Sequence, residues 1–271
     1  MDKISVIIPM FNAEKSITAA LDSVTNQTWE GKFEVVVIDD GSSDNSKKRV
    51  EDFIKNHPEI EIKLIHQENK GVSAARNVGL KNATANFIAL LDADDEWLPE
   101  KTEIQMKYLL NNLHIDFLAC TRNNQKLLFP YNTKQQLVEV NLKKLLFRNE
   151  ITIPSVIFKR KILDNTGFFT EGQNHAEDVD FYLRISAHNR MFILNQSLVI
   201  TGSGKRSFGV SGLSADLKKM AKGFRENIKR LYRQGRINGF QYFLYYVFYG
   251  LKYIFLLTRN TILNRFDKQS K

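Results

Sequence analysis

The chain has 271 residues, 43% hydrophobic and 25% charged, enough to bury one sizeable core with a smaller appendage. Its net charge of +9 is uneven: residues 216–271 hold 13 Lys/Arg against 3 Asp/Glu, and the first 215 hold 26 against 27. A near-neutral body with a basic tail excludes a nucleic-acid-binding body and directs attention to an anionic partner at the tail. Cys120 has no second cysteine to pair with and reads as a buried thiol of a reducing compartment. The first residues carry no secretory signal, because Pro9 ends the apolar run early.

In chain order, Ile4–Pro9 is a short apolar run suited to a strand covered on both faces. Residues 14–28 place Ile17, Leu21 and Val24 at helical spacing. A second buried strand is expected at 33–38, a helix at 43–54, an edge strand at 60–65, a helix at 73–80 and a central strand at 87–91. This alternation predicts an α/β fold with a mostly parallel, Rossmann-like sheet and flanking helices. Further on, a strand is expected at 115–120, a helix at 135–147, a strand at 156–158 and a helix at 176–188. The Gly/Ser-rich stretch 202–214 reads as a loop. Beyond it, Leu217, Met220, Ala221, Phe224, Ile228 and Leu231 form one apolar stripe among lysines and arginines. Residues 240–257 are half Phe and Tyr and include Lys252, which suits a helix lying on an anionic membrane better than one crossing it. The organisation read from these patterns is a main α/β domain over 1–215, with a first half over 1–98 and a second half over 99–215. A basic, aromatic helical tail occupies 216–271.

In an open parallel sheet, ligands bind beyond the carboxyl ends of the strands. Pro9-Met10-Phe11-Asn12 follows the first strand, Asp39-Asp40-Gly41-Ser42-Ser43-Asp44 the second, and Asp92-Ala93-Asp94-Asp95 the fourth. Several carboxylates in one cleft repel unless a cation or donors compensate, and an all-oxygen set suits Mg²⁺ or Mn²⁺. Seen singly, each block has a plain explanation: a strand end, a helix cap or turn acids.

Seen together, these blocks, with Asn69-Lys70-Gly71-Val72-Ser73-Ala74-Ala75-Arg76-Asn77 between the last two, closely resemble the opening of family 2 glycosyltransferases over residues 4–98. The resemblance implies a GT-A fold and a nucleoside-diphosphate-sugar donor, with a UDP-sugar the first choice. It assigns Pro9, Phe11 and Asn12 to the nucleoside pocket, Asp40 to the base with Asp39 close by, and Gly71, Arg76 and Asn77 to the nucleotide block. Asp92 would serve the ribose or metal side, Asp94 would be the principal metal ligand, and Asp95 a second candidate. Glu177-Asp178-Val179-Asp180 resembles the acidic pair at a helix head that supplies the acceptor's base. Asp178 is the first choice, then Glu177, then Asp180; the same acids would also favour a helix N-terminus through its dipole. Lys205 and Arg206 are candidates to close over the diphosphate, although 202–207 is no phosphate loop, since position 199 is Val and Arg206 follows the Lys.

The expected acceptor is a saccharide or lipid-linked saccharide, in cell-surface glycan or polysaccharide synthesis. The chemistry is expected to be inverting and metal-dependent. The location is expected to be cytoplasmic, peripheral at the inner face of a membrane, with oligomerisation left open. A dehydrogenase or nucleotidyltransferase would need a Gly-rich loop after the first strand, which Pro9-Met10-Phe11-Asn12 is not. A non-catalytic protein on the same fold would not need Asp92, Asp94 and Asp178.

Overall fold

A computed structural model describes residues 2–202 and 215–269. The chain divides into two compact units, Met1–Gly172 with Phe181–Gly204, and Gln173–Asp180 with Lys205–Lys271.

The first unit is built on β1 (Lys3–Met10), α1 (Ile17–Thr25), β2 (Lys32–Asp39), α2 (Ser46–Asn56), β3 (Glu61–His66), α3 (Val72–Asn82) and β4 (Phe87–Leu90). These four strands are parallel in the order β3-β2-β1-β4, with Ile7 opposite both Val36 and Leu90. The chain therefore reverses its direction of winding at β1, and the crevice beyond the ends of β2, β1 and β4 is a topological switch point. Ile4 to Met10 are buried throughout, as a strand covered on both faces requires. Gly79 lets α3 approach the sheet: a Cβ there would lie 2.3 Å from Ile7 Cγ2 and 2.7 Å from Ile38 Cδ1. At the other end of the sheet the buried Glu34 accepts from Ser5 Oγ (2.7 Å), Thr84 N (3.0 Å) and Thr84 Oγ1 (2.9 Å), joining β1, β2 and the approach to β4.

The sheet continues through β5 (Glu96–Trp97), β6 (Phe117–Arg122), β7 (Leu137–Val140), β8 (Ile157–Lys159) and β9 (Met191–Ile200), with α4 (Lys101–Asn111), α5 (Leu142–Phe147) and α6 (Ile162–Thr166) between them. Among the described residues it has nine strands; β8 runs antiparallel to β4 and β6, β9 parallel to β6, and β5 and β7 antiparallel to β9. The helix expected at 135–147 is instead strand β7 followed by the short α5. Leu137-Val138-Glu139-Val140 alternates in burial against β9, and Asn141 starts α5 by accepting from Lys144 N at 3.0 Å. Strand β9, the longest in the sheet, had no counterpart in the sequence reading, because Asn195-Gln196-Ser197 interrupts its apolar run.

Lys101 is fully buried beside the core. Lys101 Nζ lies 4.0 Å over the Trp97 ring and has no hydrogen-bond partner among the described residues. Burial pushes its pKa down to about 7, and pushes the neighbouring Cys120 thiol up to about 12.

The second unit contains α8 (Leu217–Arg233) and α9 (Gly239–Gln269). Asp216 opens α8 by accepting from Lys219 N (2.9 Å), and Gly235 at φ +68 follows its end. Asn238 and Gln241 exchange hydrogen bonds of 2.9 Å at the head of α9, a reciprocal cap. The helices meet through Phe224 stacked on Tyr249 at 5.0 Å and Tyr232 on Tyr242 at 5.1 Å, and Leu217, Ile228, Leu231 and Tyr249 are buried. Among the described residues no helix is long and apolar enough to cross a membrane.

Candidate active site

The crevice wall is assembled from three loops at the strand ends. Pro9 is buried near the end of β1, and Phe11 just beyond it is about half exposed. Asn12, with φ +50, ties this loop to the next: its N–H donates to Ser42 Oγ (3.0 Å), and its side-chain carbonyl accepts from Ser43 N (2.9 Å). Asn is one of the few residues that tolerate this left-handed backbone.

Asp39 and Asp40 are both buried and serve different neighbours. Asp39 accepts from Ser42 N (3.0 Å) and lies 2.9 Å from His66 Nδ1. Asp40 accepts from Gln67 Nε2 (2.6 Å), Lys70 N (2.9 Å) and Gly71 N (2.9 Å). The second carboxylate thus fixes the 67–71 loop and the approach to α3. Gly71, at φ +86, turns the chain into that helix.

From α3, Arg76 and Asn77 point to different tasks. Arg76 is buried, donates to Asp92 Oδ1 at 2.8 Å and stands 5.3 Å from the Phe169 ring centroid. Asn77 exchanges hydrogen bonds with the Phe169 backbone, donating to its O (3.0 Å) and accepting from its N (2.9 Å), and donates to Glu171 Oε1 at 3.2 Å. Its amide anchors the 167–171 loop, and Arg76 brings charge to the acid turn.

That turn carries Asp92, Asp94 and Asp95, with Asp95 N donating to Asp92 O at 3.1 Å. Asp94 keeps contact with solvent, yet the protein around it and the charge of Asp92 raise its carboxyl above the usual range. Asp95 is buried and pushed up to about 8, first by burial and then by Asp92 and Asp94. The Gly202 N–H (2.8 Å) and the charge of Arg122 act in the opposite direction. Among the described residues no group of three or more His, Cys, Asp or Glu is disposed to hold a metal ion unaided. The donor set is nevertheless all oxygen and short of positive charge, which suits a hard divalent cation that takes one or two carboxylates and completes its shell with water and phosphate.

Sequence reasoning missed Arg122, Asn123 and Thr201 at the ends of β6 and β9. Arg122 and Asn123 both donate to Thr201 Oγ1 at 3.0 Å, and Asn123 Oδ1 accepts from Thr201 N at 2.9 Å. A cation closing a strand that ends beside the acid turn was the available signal. Lys205 and Arg206 lie outside the described residues.

The family model described as glycosyl transferase family 2 matches residues 5–170. The chain belongs to that family. It is 34% identical over 197 residues, 71% of its length and 73% of the relative's, to the Escherichia coli UDP-Glc:alpha-D-GlcNAc-diphosphoundecaprenol beta-1,3-glucosyltransferase WfgD. Over 119 residues it is 39% identical to the uncharacterized glycosyltransferase YibD of E. coli, spanning 44% of this chain and 33% of YibD. Staphylococcus aureus TarS 1-349 in complex with UDP-GlcNAc superposes with a TM-score of 0.65 at 26% identity, covering 85% of this chain and 66% of that one. The mannosyltransferase PcManGT from Pyrobaculum calidifontis, in complex with GDP-Man and Mn²⁺, shares the fold at a TM-score of 0.66 and 21% identity. This family 2 protein is therefore a glycosyltransferase of GT-A fold, the fold that the opening blocks imply.

The acidic pair of this glycosyltransferase opens α7 (Glu177–Ile185). Glu177 and Asp180 are buried and Asp178 is half-buried, so Asp178 is the acid of the three with most access to solvent. Asp180 is paired with Arg230.

Proposed function

We propose that this enzyme transfers a sugar from a nucleoside-diphosphate sugar, UDP-sugars first, to a saccharide carried on a lipid diphosphate, with inversion at the anomeric carbon. The observation that carries the donor half is the single wall made by Phe11, Asn12, Asp39, Asp40 and the Arg76–Asp92 pair at the switch point of the sheet. The glucosyltransferase WfgD, whose name specifies UDP-Glc and a diphosphoundecaprenol-linked sugar, and TarS, solved with UDP-GlcNAc, support the choice of substrates.

In this reading Asp40 holds the pocket wall while Asp39 and Asn12 meet the nucleoside. Arg76 offers its charge to the diphosphate, with Lys205 and Arg206 as further candidates, and Asp94, with Asp92 or Asp95, would hold a Mg²⁺ or Mn²⁺ ion. A bound cation would neutralise the diphosphate as it departs. Asp178 accepts the proton of the acceptor hydroxyl as that oxygen bonds to the anomeric carbon and the nucleoside diphosphate leaves. Glu177 is the alternative base.

The C-terminal helices support placement of the enzyme at an anionic, cytoplasm-facing membrane surface. Phe240, Phe243, Val247, Leu251, Ile254 and Phe255 are exposed on α9 at helical spacing, while Lys218, Lys219, Lys222 and Lys229 are exposed on α8.

Donor hydrolysis across UDP-, GDP- and dTDP-sugars, with and without Mn²⁺ or Mg²⁺, tests the donor assignment. One base should dominate, hydrolysis should need the cation, and Asp94→Ala should remove that dependence together with the activity. Equal, metal-independent hydrolysis of all donors would sink the reading.

A further inference from the structure

Helix α8 presents Gly223, Asn227 and Arg230 at i, i+4 and i+7, one face of the helix, and each meets the segment leading into α7. Gly223 lies against the His175 carbonyl; a Cβ at that position would come within 2.3 Å of His175 O and 3.3 Å of Ala176 Cβ. Asn227, buried, donates to Ala176 O at 2.8 Å and accepts from Gln173 Nε2 at 2.8 Å. Arg230 pairs with the buried Asp180 and donates to Gln173 Oε1 at 3.4 Å. Gln173 Nε2 donates in turn to Ala176 O at 3.1 Å.

These contacts converge on one residue. Ala176 has φ +53, in the left-handed region that an L-residue with a Cβ avoids. Its carbonyl also receives the first helical hydrogen bond of α7, from Asp180 N at 3.1 Å. The start of α7 is thus set by a strained residue whose carbonyl accepts from Asn227, Gln173 and Asp180. Asp178 is the second residue of that helix, so the turn at Ala176 sets the course of the backbone that carries it.

We propose that Gly223, Asn227 and Arg230 are positioning residues for the acceptor's base, acting on Asp178 through Ala176 without touching substrate. Helix α8 then contributes to sugar transfer and not to donor binding. This inference rests on the assignment of Asp178 as base. The basic surface of α8 and its positioning face are separate: Lys218, Lys222 and Lys229 are exposed, and the 223–227–230 face is turned to the α7 segment.

The test uses the full chain with Asn227→Ala, Asp178→Asn and the double variant. UDP-glucose and a synthetic GlcNAc-diphospho-lipid are the probes for transfer, UDP–Mn²⁺ is the probe for calorimetry, and hydrogen exchange follows the amides of residues 177–180. Asn227→Ala should lower kcat for transfer about 10–100-fold, the scale of a small misplacement of a reacting group. UDP–Mn²⁺ affinity and donor hydrolysis should stay within about twofold, as expected of an interaction made only in the chemical step. In the Asp178→Asn background the same change should cost nothing further, because a residue that acts through Asp178 has nothing left to position. Exchange at 177–180 should accelerate, a readout that needs no acceptor turnover. Arg230→Lys, which keeps the charge on Asp180, should retain more transfer than Arg230→Ala.

Unaltered exchange and kcat in Asn227→Ala, multiplicative losses in the double variant, or joint loss of UDP binding and transfer would each overturn the positioning role. If Asp178→Asn itself turns over like the wild type, the base assignment fails and α8 is not at fault.

Discussion

At the ends of β1, β2 and β4 the acids are fixed by short loops: Asp40 reaches Gly71 across 31 positions, and Arg76 reaches Asp92 across 16. At the head of α7 the acids are fixed from a distance: Asn227 reaches Ala176 across 51 positions and Arg230 reaches Asp180 across 50. The first arrangement stays within consecutive strand–helix units, and the second depends on a helix made more than 40 residues later. A nucleotide wall built locally is therefore expected to outlast damage to the C-terminal helices, while the proposed base segment is expected to fail with them.

Asp178→Asn gives the largest expected effect and the sharpest form of this contrast. Transfer should fall about 10²–10⁴-fold, the range for loss of a general base, with UDP binding unchanged. Equal loss of binding and turnover would mean that the two regions are one machine.

Next in size is membrane attachment. Leu251→Asp with Phe255→Asp alters two residues each 63% exposed, so the packing of α8 on α9 should survive. Recovery with anionic liposomes should drop about tenfold or more, since each large apolar side chain contributes about 1.5–3 kcal/mol when buried. Donor hydrolysis should be unaffected, and high salt should release only part of the wild type, because screening acts on the lysines and not on the apolar stripe. Equal flotation of the variant and the wild type would remove the apolar face from the account.

The smallest effect concerns Lys101, inside the first unit. Its folded pKa of about 7 lies below the ordinary 10.5, so between these values the unfolded chain binds more protons and stability should rise with pH. Lys101→Met keeps the stem and removes the buried amine. It should raise Tm at neutral pH and flatten the rise between pH 7 and 10 relative to the wild type, as followed by calorimetry. An unchanged slope would mean that the ammonium is accommodated in the core.

How much of this was legible follows from the same contrast. Buried parallel strands announce themselves as apolar runs such as Ile4–Pro9, and the acids that follow them share an end of the sheet by chain order alone. What those acids do was less visible. Asp39 and Asp40 are neighbours with the same side chain, yet one meets His66 and the other holds the 67–71 loop, a division set by tertiary contacts. Asn77 belongs to the block assigned to the nucleotide, and its hydrogen bonds to Phe169 were not visible in the sequence. Strand β7 reads as helix in the sequence because its four residues are too few to establish a period against the apolar α5 behind them. In the tail, the apolar stripe identified α8, but Gly223 and Asn227 interrupt or flank that stripe as ordinary surface residues would. Only the contacts with His175 and Ala176 give them a role.

The central claim is that the wall at the switch point is where the nucleotide binds. A crystal structure of the full chain grown with UDP and Mn²⁺ tests it most directly. The account predicts the uridine beside Phe11, Asn12 and Asp39, with the diphosphate near Arg76 and a metal at the Asp92–Asp95 turn. Nucleotide bound instead at the opposite end of the sheet, around Lys159, Arg160 and Lys161, with the turn acids still paired as Arg76–Asp92 and Gly202–Asp95, would contradict it.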